Sequence, residues 1–144
     1  MNSAHTLEKI TAAEFSKRLA GLCLTSGLAG FPRKERDRQI LLKSVVMTMD
    51  RTLEYTEPEV DDRLIYWLTD IARSVQFDHV SLRRLLVDYG YLNRDSTGSS
   101  YRVVPAGGGR VAFEAQIDGL DVYGVIGAAM KAARDRKRRF AQGG

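Results

Sequence analysis

Cysteine and histidine are both scarce in this chain of 144 residues, and each scarcity excludes something. The single cysteine, Cys23, rules out an internal disulfide and fits a reducing cytoplasm, where such a residue serves as a small core hydrophobe. The two histidines, His5 and His79, stand far apart, and no cysteine or histidine lies near Cys23 at metal-ligand spacing, so no metal site is expected. The three glycines Gly107 to Gly109 lack the Lys-Ser/Thr that completes a phosphate loop. The acids Glu57, Glu59, Asp61 and Asp62 gather at a helix start, where the helix dipole already accounts for them. No catalytic residue and no cofactor is therefore assigned, and the chain is expected not to be an enzyme. Long apolar runs are lacking too. The longest stretch, Val122 to Met130, is broken by glycines and too short for a bilayer, and the first residues lack the basic-then-apolar order of a secretory signal. The expectation is a cytoplasmic protein with no membrane partner.

What is present begins with charge. The net charge of +4 belongs to one segment: residues 131–139 hold six basic side chains and one acid, and the rest of the chain is close to neutral with a slight acidic excess. A block of this kind is either a solvated helix end or an arm attracted to phosphate.

Thr11 and Glu14 have capping-box spacing, and Phe15, Leu19 and Leu22 recur at helical period, with Lys17 and Arg18 opposite. This helix should end near Leu24, before a loop from Thr25 to Phe31. Pro32 suits a first turn, and Ile40, Leu41, Val45 and Met49 give a buried stripe over about Arg33 to Asp50, whose opening charged run 33–38 should be exposed. Thr56, Pro58 and Glu59 form the sharpest start signal, and Val60, Leu64, Trp67, Leu68 and Ile71 mark the inner face that follows. After a break at Ser74 to Phe77, Asp78 caps a third helix with Leu82, Leu85, Leu86 and Tyr89 on one face and Gly90 at its end. Tyr91–Arg94 and Tyr101–Val104 read as strands joined by the loop 95–100. Pro105 and the glycine run predict a flexible joint, and a last helix spans about Leu120 to Phe140, with Gly124, Gly127 and Ala128 giving it a small-residue face.

The expected class is mainly α with a small β-hairpin: a winged-helix-like three-helix core at 31–104, an N-terminal helix and loop at 1–30, and a Gly-rich joint with a basic helix at 105–144. Helix, helix, helix, hairpin is the order of a winged helix-turn-helix, which places its third helix in the major groove. The outward face of that helix would carry His79, Arg83 and Arg84, with Arg94 and Arg102 flanking the hairpin loop. Lys131, Arg134, Lys137, Arg138 and Arg139 would add attraction from the tail. Arg84 lies four residues before Asp88, so these two can instead pair on the surface, and Asp88 can equally pair with Arg94. The leading expectation is a DNA-binding transcription regulator. The alternatives are an RNA- or ribosome-associated factor, and a non-catalytic protein-interaction module that dimerises through its terminal helices.

Several of these stretches together resemble a bacterial family, the domain of unknown function 2087. The matching text is Phe31-Pro32-Arg33-Lys34 and Lys43, then Tyr55 to Val60, then the long run Asp78 to Arg94, with Gly98 and Tyr101. The resemblance covers about half the chain, Phe31 to Val104. Domains of this family occur alone or appended to bacterial transcription regulators, so the resemblance implies a regulatory role linked to nucleic acid and carries over no catalytic residue.

Overall fold

Residues 39–46 are buried without a break although Gln39, Lys43 and Ser44 are among them, and this enclosed helix organises the fold. The structure is a computed structural model that describes residues 8–24, 30–73 and 75–143. The chain is mainly α with a small β part. A short strand β1 (Glu8–Ile10) leads into helix α1 (Ala12–Leu24), followed by α2 (Glu35–Met47), β2 (Glu54–Tyr55) and α3 (Glu57–Tyr66). The helix α3 widens into a π turn at Trp67–Ile71. Then come α4 (His79–Asp88), β3 (Leu92–Arg94), β4 (Tyr101–Val103), β5 (Val111–Phe113), a 3-10 turn at Ala115–Gly119 and α5 (Val122–Gly143).

Helix α2 is enclosed because other elements cover the faces that its amphipathic stripe leaves open. Ile40, Leu41, Val45 and Met49 are buried as their spacing predicts, but Leu42, Val46, Gln39, Lys43 and Ser44 are buried too. Each polar group among them has a partner, as burial demands. Gln39 donates to Glu35 at 2.8 Å and accepts from the Tyr91 hydroxyl at 2.5 Å. Ser44 Oγ donates to the Leu41 carbonyl at 2.6 Å and accepts from Trp67 Nε1 at 3.2 Å. Lys43 Nζ donates to the Pro105 carbonyl at 2.7 Å and to Asp118 Oδ1 at 2.6 Å, with its ammonium 5.1 Å from the Phe113 ring centre. The run 33–38 is exposed only over its first three residues, against the expectation for the whole of it. Asp37 is buried beneath Arg18, which grips it with two hydrogen bonds of 3.1 and 2.8 Å, and Arg36 reaches Glu14 at 2.7 Å and the Lys9 carbonyl at 2.6 Å. Charge periodicity alone cannot reveal that α1 lies on this face with complementary charges.

Two small sheets fix the ends. Strand β1 pairs in parallel with β5, Ile10 opposite Phe113, and Glu114 extends the link by accepting the Ala12 amide at 2.9 Å. Glu114 thus caps α1 from far along the chain. Thr11 Oγ1 accepts from the Glu14 amide at 3.1 Å while the Glu14 carboxylate turns to Arg36, so only half of the expected capping box forms. The second sheet has the order β2-β4-β3, antiparallel throughout, with Tyr55 beside Tyr101 and Leu92 beside Val103.

The glycine run is not a loose joint. The Gly108 amide donates to the Tyr89 carbonyl at 2.9 Å, and a Cβ on Gly107 would lie 2.6 Å from the buried Tyr91 ring. This close approach, at φ +68°, is the physical reason glycine stands there. The small-residue face of α5 is left uncovered within the chain: Gly124, Gly127 and Ala128 are exposed, whereas Val122 and Ile126 are buried in the core. Cys23 is a core residue, and burial pushes its thiol pKa up to about 12. The expected loop and break fall partly on residues 25–29 and Ser74, and His5 on the first seven residues, all outside those described.

Candidate nucleic-acid interface

Local chemistry sets α3 and α4 against the hairpin. Thr56 Oγ1 accepts from the Glu59 amide at 3.3 Å and Glu59 accepts from the Thr56 amide at 2.8 Å, a complete capping box. Asp78 caps α4 by accepting from the Ser81 amide and hydroxyl, each at 2.8 Å, and the amide bond above all holds its carboxyl below the usual range. Gly90, at φ +81°, ends α4 and turns the chain into β3. The loop 95–100 is tied by Asp95, whose Oδ1 accepts from the Ser99 amide at 2.9 Å and from Thr97 Oγ1 at 3.1 Å.

Between α4 and the hairpin lies a groove of about 210 Å³, lined by Glu57, Val80, Arg83, Arg84, Val87, Asp88, Arg94 and Tyr101. Three of the four module arginines expected to bind therefore share one groove, yet they are chemically unlike. Arg83, only 17% exposed, is hydrogen-bonded to Asp61 and lies 3.7 Å from Glu57. Burial works against its charge, but the Asp61 bond and the nearby acids outweigh burial and raise its pKa. Tyr101 closes the cluster by donating its hydroxyl to Glu57 at 2.8 Å, and burial first, then this bond, raises its pKa. Arg83 thus joins α3 to α4 and has its charge answered within the protein.

Arg84 and Arg94 are exposed, and neither has an ion-pair partner among the described residues. The surface pairing of Asp88 with either one does not form. The Arg94 guanidinium lies across Gly98, where any Cβ would overlap it. Arg102 does not line the groove; it lies 3.5 Å from Glu54 on the neighbouring strand β2, both side chains well exposed. His79 is half-buried beside its capping neighbour Asp78.

The basic block stands apart from this groove. From Lys131 onward every described side chain of α5 except Asp135 is exposed, so Lys131, Arg134, Lys137, Arg138 and Arg139 project beyond the core together with Arg136. Phe140, 86% exposed, sits among them. Sequence reasoning missed Val80, Val87 and Asp88 as groove residues, although the spacing Val80-Arg84-Asp88 already places them on one helical face. It also missed Asp61 as the partner of Arg83, for which no local signal exists because the two stand on different helices.

Among the described residues no group of three or more His, Cys, Asp or Glu is placed to hold a metal ion, and no helix is long and apolar enough to cross a membrane. No curated protein and no solved structure matches the chain. A family model does match, over residues 27–103, and its description is an uncharacterised protein conserved in bacteria, DUF2087. That span holds α2, α3, α4 and all of the sheet β2-β4-β3, more than half of the chain, and the protein belongs to this bacterial family.

Proposed function

We propose that the protein is a winged helix that binds duplex DNA and acts in transcription regulation, with α4 as the helix presented to the major groove and the β3–β4 hairpin as the wing. The observation that carries this reading is the pair Arg84 and Arg94, one on α4 and one on the hairpin, which line a common groove with neither held in an ion pair among the described residues. The topology supports it: β2 lies between α2 and α3 in sequence and beside β4 in space, so the hairpin is braced next to α4. In such a frame the helix meets base edges while the wing reaches the flanking backbone. The projecting end of α5 supplies the long-range attraction that the near-neutral module lacks, since cations gain affinity by releasing counterions from phosphate.

The test is an anisotropy titration of the full chain against duplex DNA at several salt concentrations. Affinity should fall steeply with salt, the logarithmic slope being about 0.9 per phosphate neutralised. Arg84→Ala with Arg94→Ala should weaken binding by about tenfold or more. Arg138→Ala with Arg139→Ala should flatten the slope by about 0.9 for each phosphate that the pair no longer neutralises. Arg83→Ala should lower the melting temperature instead. Binding that is indifferent to salt and to both double variants overturns the proposal, and tighter binding to structured RNA than to duplex DNA at equal salt replaces DNA as the partner.

A further inference from the structure

The exposed stripe of α4 consists of Val80, Arg84 and Asp88, each four residues from the next, with Val87 beside them in the groove. With Arg83 already neutralised by Asp61 and Glu57, this stripe carries one cation and one carboxylate that are not paired with each other. A surface that merely tracks phosphates gains nothing from Asp88, because a carboxylate brought against a polyanion is repelled. A surface that reads base edges has a use for all three types. Arginine donates in a fork to guanine O6 and N7, a carboxylate accepts from the cytosine amino group, and an apolar side chain meets the thymine methyl.

We infer that α4 reads base sequence: Arg84 recognises guanine, Asp88 the exocyclic amine of cytosine, and Val80 the thymine methyl, within one short stretch of major groove. The inference rests on the duplex-binding reading and adds to it what the helix recognises. Four residues along a helix rise about 6 Å, close to two base steps of about 3.4 Å each, so the three bases recognised stand about two steps apart. The division of labour follows from charge. The α4 stripe is net neutral and selects, whereas the six cations of residues 131–139 attract any duplex.

The experiment is selection by the full-length protein from a pool of duplexes randomised over about one helical turn, followed by titration of the enriched sequence. Enrichment of a guanine and a cytosine about two steps apart is expected. Arg84→Ala should lower affinity for the enriched sequence by about tenfold to a hundredfold and equalise the four bases at the guanine position. Asp88→Ala should equalise the cytosine position and at the same time strengthen binding to random duplex. Both side chains are exposed, and circular dichroism verifies that the variants fold. A bound pool with the composition of the input, while salt-dependent binding persists, overturns base reading and leaves the duplex proposal standing. Unchanged base preferences in Asp88→Ala also overturn it. Failure to bind any duplex at low salt overturns both.

Discussion

Replacing Asp118 by alanine strands the ammonium of Lys43 inside the protein, and this should be among the most damaging single changes at the junction of α2 with the C-terminal segment. The Lys43 side chain is 2% exposed and that of Asp118 is 55% exposed. Removing one partner of a fully buried pair costs about 3–5 kcal/mol, because the charge left behind is uncompensated. The half-exposed carboxylate sits where solvent already screens it, which brings the figure for Asp118→Ala to about 2–3 kcal/mol. Lys43→Met is the reverse case. It keeps the apolar stem in place and removes the buried charge, and the carboxylate it leaves can turn to water. Only the Pro105 carbonyl is deprived of a donor, so the net cost is about 1 kcal/mol.

The asymmetry is the prediction. Urea denaturation followed by circular dichroism should rank Asp118→Ala as less stable than Lys43→Met, with the melting temperature of the former down by on the order of 10 °C. The double variant should be no less stable than Lys43→Met alone, since no charge remains to be stranded, giving a coupling of about 2 kcal/mol in a double-mutant cycle. If Lys43→Met is the more damaging change, or if the two effects simply add, the salt bridge does not hold the segment to α2 in the way described.

Two further variants probe the same scaffold. The hydrogen bond from Arg36 chiefly holds the Glu14 carboxyl below its usual value of 4.5, so Glu14 stabilises the fold above that pH and ceases to do so as pH falls through the lowered value; the melting temperature of Glu14→Gln should lie below that of the native chain at neutral pH and converge with it on acidification, and a gap that stays constant into acid refutes the linkage. Gly107→Ala meets both a left-handed backbone and the Tyr91 ring, whereas Gly109→Ala, at φ +84° with nothing within 4 Å, meets only the former, so Gly109→Ala should cost about 1–2 kcal/mol and Gly107→Ala distinctly more, and equal costs refute the packed arrangement of this run.

What the sequence disclosed and what it hid divide along chain distance. The box at Thr56 and Glu59, the cap at Asp78 and the terminator Gly90 are decided within a few residues, and each is found where its spacing predicts. The stripes of α1 and α3 are legible for the same reason, since Phe15, Leu19, Val60, Leu64 and Trp67 follow a period that burial of one face imposes. The total enclosure of α2 is not legible, because the groups that answer Asp37 and Lys43 come from Arg18 on one side and Asp118, 75 residues away from Lys43, on the other. Strands of two or three residues, such as β2, β1 and β5, are too short to show a period at all. In the groove, spacing suggests that Arg84 meets Asp88, yet the arginine that is neutralised is Arg83, by acids on another helix that no local pattern connects to it.

The span that defines the family and the unit that packs do not coincide, and the difference bears on function. One continuous core runs from Ile10 and Phe15 through α2 to Val111, Ile117, Val122 and Ile126, well beyond residues 27–103 on both sides. The outer segments are tied in by charge as well as apolar surface: Arg18 answers Asp37, Glu14 answers Arg36, and Asp118 answers Lys43. Helix α5 is consequently rooted by Val122 and Ile126 in the same core that supports α4, and its basic end is carried by a helix instead of trailing as a free coil. A cationic element tethered to a second binding surface raises the effective concentration of one for the other when both reach the same ligand. On the duplex-binding reading proposed above, the near-neutral groove can tolerate a carboxylate at Asp88, because the attraction for phosphate would reside on another element rooted in the same core.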